Sequence, residues 1–198
     1  MNPCPVCQNN SAQHTKAHGY IYFKCLTCGC LFTMPIRKQD IHTDNDAKDD
    51  RNNINRLAEI RFRLIQKRPV QTVLDYGCGD GEFVTYLNTQ GLANAIGIDQ
   101  HNENDITKYR NKFDAITMIE VIEHILEPHS RVRNIHAALK PKGIFYIQTS
   151  LAEYCHESYV DPRIGHCLIH SEKSLKILAG SLFNLEKLNR NCFIMEKK

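Results

Sequence analysis

From residue 72 onward, short apolar runs bounded by glycine, asparagine and aspartate alternate with stretches in which apolar residues recur every three or four positions. That alternation of strand and helix signals predicts an α/β fold, a parallel sheet covered on both faces. The strands fall at "TVLDY" (72–76), "NAIGID" (94–99), "FDAITMIEV" (113–121) and "GIFYIQTS" (143–150). Helices fit between them over 82–90 and 128–140, where Pro128 suits a first turn and Pro141 with Gly143 ends the run. A further helix over 172–179 has Ser171 as its N-cap, and "LEKLNR" with "NCFIMEK" reads as a closing antiparallel pair.

Upstream the pattern changes. Ile54, Leu57, Ile60 and Ile65 give helical spacing to "INRLAEIRFRLIQK", which stops at Pro69. Residues 37–53 contain almost no apolar positions and many turn formers, as a linker does. Residues 1–36 hold two Cys-x-x-Cys pairs, Cys4 with Cys7 and Cys25 with Cys28, separated by 17 residues, with strand-like "YIYFKC" leading into the second. Paired knuckles at this spacing predict a zinc ribbon. Four thiolates close a tetrahedral site and leave no position for substrate, so the zinc is expected to be structural. The bend at Gly29 is expected to turn Cys30 away from it. The chain thus divides into a ribbon (1–36), a linker (37–53) and an α/β domain (54–198).

Composition narrows the setting. With 198 residues, 42% of them hydrophobic, there is room for one ordinary domain with a real core and a small appendage. No stretch of about 18 uncharged apolar residues exists, and "MNPCPVCQNN" lacks the features of a signal peptide, so no membrane partner is expected and the expected compartment is cytoplasmic. Nine cysteines in a reducing compartment read as metal ligands or buried small hydrophobes before disulfides. A formal charge of +3 with scattered Lys and Arg lacks the dense basic face of a nucleic-acid binder.

The chemistry is concentrated in "VLDYGCGDGEF" (73–83). A dinucleotide fingerprint reads Gly-x-Gly-x-x-Gly, whereas Gly77, Gly79 and Gly81 are spaced by two and followed by Glu82. A pyrophosphate would meet Asp75, Asp80 and Glu82; a ligand carrying an ammonium and a sulfonium would be welcomed there. Together with "GID", "FDAITMIEVIEHI" and "LKPKGIFYIQT", this turn resembles the class I S-adenosylmethionine-dependent methyltransferases over about residues 54–198. The resemblance implies a Rossmann-like, mostly parallel sheet and S-adenosylmethionine as cofactor. It places Asp75 near the methionine amine and the backbone of Gly77, Cys78 and Gly79 under the methionine portion. Asp99, 22 residues after Gly77, would accept the ribose hydroxyls with Gln100 beside it, and Ile119, Glu120 and Val121 would line the donor pocket. Only 13 residues separate Asp99 from Phe113, too few for the usual helix and third strand, so the sheet is expected to be shortened at the adenine edge.

Methyl transfer is an in-line displacement, so the protein must align a nucleophile and remove its proton where necessary. Glu120, Glu123 and His124 in "EVIEH" are the nearest candidates, because positions i, i+3 and i+4 share a face if the chain coils there. Their pattern resembles that of ubiquinone-pathway O-methyltransferases and small-RNA terminal 2'-O-methyltransferases, in which it holds a divalent metal. Acid–base work, a metal site and a purely structural role are all open to these three. The segment 151–170 would cover the acceptor, with Tyr154, His156, Tyr159, His166 and His170 as possible contacts and His170 as the partner of His124. The leading expectation is methylation of a small polar metabolite, a sugar hydroxyl or carbon among the candidates. An RNA methyltransferase and a non-catalytic zinc-dependent binding or cofactor-sensing module are its rivals.

Overall fold

The computed structural model describes residues 2–33, 59, 61–63, 65–66, 69–99 and 105–198. The expected linker lies outside the described residues, as do Ile54, Leu57 and Ile60 of the lead-in helix. Glu59, Arg61 to Arg63 and Ile65 are helical, and Phe62 and Ile65 are buried against Val73, Phe83, Leu87 and Tyr146.

Three strands come first: β1 (Ser11–Ala17), β2 (Tyr20–Cys25) and β3 (Leu31–Thr33). The second part runs β4 (Thr72–Tyr76), α1 (Glu82–Thr89), β5 (Asn94–Ile98), β6 (Phe113–Ile119), α2 (Pro128–Ala138) and β7 (Leu139–Gln148). It continues with β8 (Leu168–Ile169), α3 (Glu172–Ala179), β9 (Phe183–Lys187) and β10 (Cys192–Lys197). Six strands form one sheet in the order β5-β4-β6-β7-β10-β9. β5, β4, β6 and β7 are parallel, and β10 lies antiparallel to both β7 and β9. The central strands are buried on both faces, which is why they read as continuous apolar runs and not as alternating ones.

β5 is the edge strand, with no strand beyond it among the described residues. The chain after it makes a short 3₁₀ turn over Ile106–Lys108, whose cap Asp105 accepts from the Thr107 N–H. The shortened edge is therefore as the spacing predicts. α1 and α3 cover the expected positions to within a residue. α3 begins with a capping box between Ser171 and Ser174, an arrangement worth about 1 kcal/mol at a helix start.

Two boundaries differ from the sequence reading. β7 begins at Leu139, directly from α2, so Pro141 lies inside a strand. It is tolerated because β6 and β7 shift register between Phe113 and Ala115, where Lys142 takes φ +62° and the ladder is interrupted. β6 stops at Ile119 because Glu120 adopts φ +51°, turning the chain out of the sheet. β8 was not foreseen at all. It pairs antiparallel with β3, so the first three strands and a piece of the segment 151–170 share one four-stranded sheet, β1-β2-β3-β8.

Candidate functional site

The glycine turn leaves the C-terminal end of β4, where the ends of the parallel strands gather loops. Gly77, Gly79 and Gly81 all have positive φ, at +80°, +50° and +77°. The N–H groups of Gly77 and Cys78 donate to the Ile98 carbonyl, 2.7 and 3.2 Å away, tying the turn to β5. Gly77 has no room for a side chain: a Cβ would stand 2.3 Å from Val121 Cγ2. Cys78 lies over Gly97 of β5, where an added Cβ would meet its sulfur at 2.4 Å, so this thiol fills space between turn and strand.

Asp75 is buried at the end of β4 and accepts from Thr117 Oγ1 at 2.6 Å. Burial pushes its carboxyl up to about 6, while the Thr117 hydroxyl and the Arg61 guanidinium pull it the other way. Asp99 follows β5, half-buried, and its Oδ2 accepts from the Gly79 N–H at 3.0 Å. The structure thus brings Asp75, Gly77, Cys78, Gly79, Asp99 and Val121 around one turn. Ile119 ends the neighbouring strand, half-buried, and Gln100 lies outside the described residues.

A second group of polar side chains sits past the end of β6. A 3₁₀ turn over Ile122–His124 carries Glu123, fully buried, and His124, exposed. Thr149 Oγ1 donates to Glu123 Oε2 at 3.0 Å, and the Tyr159 hydroxyl donates to Glu123 Oε1. That hydroxyl also lies 3.1 Å from Glu120 Oε2. Glu120 is raised to about 7 by desolvation first and by the charge of Glu123 second. His166 places its Nδ1 2.7 Å from the Tyr159 carbonyl. A carbonyl can only accept, so Nδ1 carries a proton, and burial lowers the imidazole pKa, which favours the neutral ring with Nε2 bare, 3.9 Å from Glu123 Oε1. The His124 and His166 rings are 5.0 Å apart. Ligand atoms of Glu123, His124 and His166 all fall within 4.8 Å of one another, one oxygen and two nitrogens, a donor set that suits a divalent cation.

His166, not His170, therefore stands beside His124. His170 is fully buried at the start of α3, with Nδ1 3.1 Å from Ser174 Oγ, and burial holds its imidazole down at about 4. Gly165 explains how His124 fits. With φ +86° it brings the backbone under the ring, where a Cβ would meet His124 Nδ1 at 2.7 Å. A Gly165→Ala chain is expected to lose about 1–3 kcal/mol of stability, measurable by urea unfolding, because it combines a left-handed backbone with that clash.

The sulfurs of Cys4, Cys7, Cys25 and Cys28 lie within 4.8 Å of one another, as a four-sulfur metal site requires. Cys30 does not turn away. Its buried sulfur is 3.4 Å from both Cys4 and Cys28, since the Cys25 N–H to Cys30 carbonyl bond of 3.0 Å folds it back into the knuckle.

A mostly parallel sheet with a glycine turn after its first strand, an acidic residue after the second and polar groups beyond the third defines the shape of a class I methyltransferase. The family described as "Methyltransferase domain" matches residues 47–188, and the chain belongs to it. It is 27% identical over 135 residues to the ubiquinone biosynthesis O-methyltransferase of Histophilus somni, covering 52% of this chain and 57% of that protein. The Haemophilus ducreyi protein of the same name is 30% identical over 128 residues, covering 48% and 54%. The chain spans about half the length of the curated relatives it matches. Among solved structures, a SAM-dependent methyltransferase from Archaeoglobus fulgidus aligns with TM-score 0.56 at 16% identity, over 76% of this chain and 96% of that one. The PH0226 protein from Pyrococcus horikoshii aligns with TM-score 0.51 at 18% identity, over 79% and 93%. Both likenesses are of fold.

Proposed function

We propose that this chain transfers the methyl group of S-adenosylmethionine to a hydroxyl of a small polar metabolite. The observation that carries the reading is the pairing of two groups past the C-terminal ends of neighbouring parallel strands: an acidic glycine turn after β4 and, beyond β6, the Glu123–His124–His166 group. Asp75 would receive the ammonium of the donor and Asp99 its ribose hydroxyls, with Asp99 Oδ2 already oriented by the Gly79 N–H. A divalent ion held by Glu123, His124 and His166, with Glu120 at hand, would lower the pKa of a bound acceptor hydroxyl. Glu123 and Glu120 offer carboxylates to take the proton, and the Tyr159 hydroxyl, which donates to Glu123 and lies 3.1 Å from Glu120 Oε2, stands between them. The O-methyltransferase names of the curated relatives agree with an oxygen acceptor. Four cysteine sulfurs at metal-site spacing support a structural zinc in the ribbon.

Labelled donor incubated with size-fractionated extract tests the reading. Label should pass to small, nuclease-resistant acceptors, fall on chelation and return with Mg²⁺ or Mn²⁺. Label confined to nuclease-sensitive material would replace this reading with an RNA methyltransferase, and tight donor binding without transfer would favour the binding module.

Asp75 gives the donor site a pH signature. Its carboxyl is raised, so the carboxylate forms only above about pH 6 and is lost as pH falls through that value. Calorimetry should show S-adenosylmethionine affinity falling by up to about tenfold per pH unit below 6, since binding the cation requires the charged form. Asp75→Asn should bind weakly at every pH and flatten the curve; an unchanged slope in that variant would remove Asp75 from the donor site.

A further inference from the structure

We propose that the cysteine-rich ribbon is a positioning element of the acceptor site, and that Tyr22 is the residue through which it sets His166. This rests on reading Glu123, His124 and His166 as that site. The link is the segment 166–171, which has the ribbon on one side and the acceptor group on the other. On the ribbon side, the buried Tyr22 hydroxyl donates to the His166 carbonyl. The Thr33 N–H donates to the Cys167 carbonyl at 3.0 Å, β3 pairs with β8, and Ser171 Oγ donates to the Cys28 carbonyl. On the acceptor side, the Cys167 N–H donates to the Glu123 carbonyl at 3.0 Å, and His166 is held to Tyr159 through Nδ1.

Packing follows the same path. Tyr22, Leu31 and Ile169 form a small buried cluster of their own, against which Tyr159 and Val160 pack. At the tip of the β1–β2 hairpin, His18 Nε2 lies 3.5 Å from Asp161 Oδ2, just before the Gly165 turn that supports His124. Burial raises the Tyr22 phenol well above its ordinary value, so it stays a donor throughout the working pH range. A carbonyl fixed from behind sets where the peptide of His166 sits, and with it the reach of the imidazole toward Glu123. Groups that hold a ligand from its far side govern its orientation, and their loss is felt at the site even though they touch nothing that reacts.

The test uses the full chain as wild type, Tyr22→Phe, His166→Ala and His18→Ala. Manganese affinity is read by calorimetry, and the His166 imidazole signals by NMR, assigned with His166→Ala. S-adenosylhomocysteine affinity and the metal content of the cysteine cluster serve as controls. Tyr22→Phe should weaken Mn²⁺ binding about tenfold and move the His166 signals, with both controls unchanged. His18→Ala should shift both in the same direction by less, and it carries the test if Tyr22→Phe does not fold, because its side chain is exposed. Wild-type Mn²⁺ affinity and unmoved His166 signals in a folded Tyr22→Phe chain would overturn the proposal. If His166→Ala leaves Mn²⁺ binding intact, the metal reading falls; moved His166 signals in Tyr22→Phe would then still support the coupling.

Discussion

Glutamine in place of Glu123 should slow methyl transfer by about 10²–10⁴-fold while leaving the affinity for S-adenosylhomocysteine unchanged. The two side chains have the same size, and Glu123 is fully buried, so the substitution removes charge and little else. Its neighbours make the charge specific. Thr149 donates to one carboxylate oxygen and Tyr159 to the other, so a glutamine amide must point its NH₂ at one of these two donors. One of the two oxygens, Oε1, also faces His166 Nε2 at 3.9 Å, where an acceptor proton or a cation would be held. The turn from Gly77 to Gly81 is held to Ile98, Asp99 and Val121 by contacts that do not involve Glu123, so donor affinity separates loss of chemistry from loss of fold. Single-turnover transfer under saturating donor measures the effect; a rate within threefold of wild type would take Glu123 out of the acceptor site.

The geometry around the glycine turn was legible in the sequence because it is local. Asp75, the glycine turn and Asp99 belong to one strand–turn–helix–strand unit, and each residue's placement follows from where its strand ends. The acceptor half was legible only in part. Glu123 and His124 are neighbours on a turn, but their partners Tyr159 and His166 come from a segment more than 30 positions away, whose path is set by contacts that no period reveals. The two residues of β8 are too short to show an alternating pattern, and their pairing with β3 turns His166 toward Glu123 while it buries His170. His170 lies next to Ser171, where a helix cap was expected, and the cap was the better guide: its imidazole bonds within the capping turn, to Ser174. Cys30 was misplaced for a similar reason. Gly29 does make a sharp bend, at φ +81°, yet the bend is part of the knuckle and returns the next residue to the sulfurs.

The same contacts predict what happens when the cysteine cluster can no longer hold an ion. With zinc held there as proposed, Cys4→Ser should lose it and lower the melting temperature by about 10–20 °C, because a structural zinc contributes free energy comparable to the whole net stability of a domain and 1 kcal/mol is worth about 2–4 °C at this size. The loss should not stay in the ribbon. Cys4, Val6, Cys25, Cys28 and Phe32 pack in one cluster with Ile122, Val132 and Leu168, so the core on one face of the six-stranded sheet loses part of its packing when they disperse. The opposite face, with Val73, Phe83, Leu87 and Tyr146, contains no ribbon residue among the described residues and keeps its core. Hydrogen exchange should therefore quicken first at Thr33, Cys167 and the β3–β8 pair, then at α2, where His129 bonds the Val6 carbonyl at 2.6 Å, and last in β4 and β6. Acceptor chemistry should fail before donor binding does, since Glu123 and His166 hang from the first of these regions and Asp75 from the last. Should β3 and β8 exchange no faster than β4 in the metal-free variant, the ribbon would be an independent unit and its bonds to segment 166–171 would carry no energetic coupling.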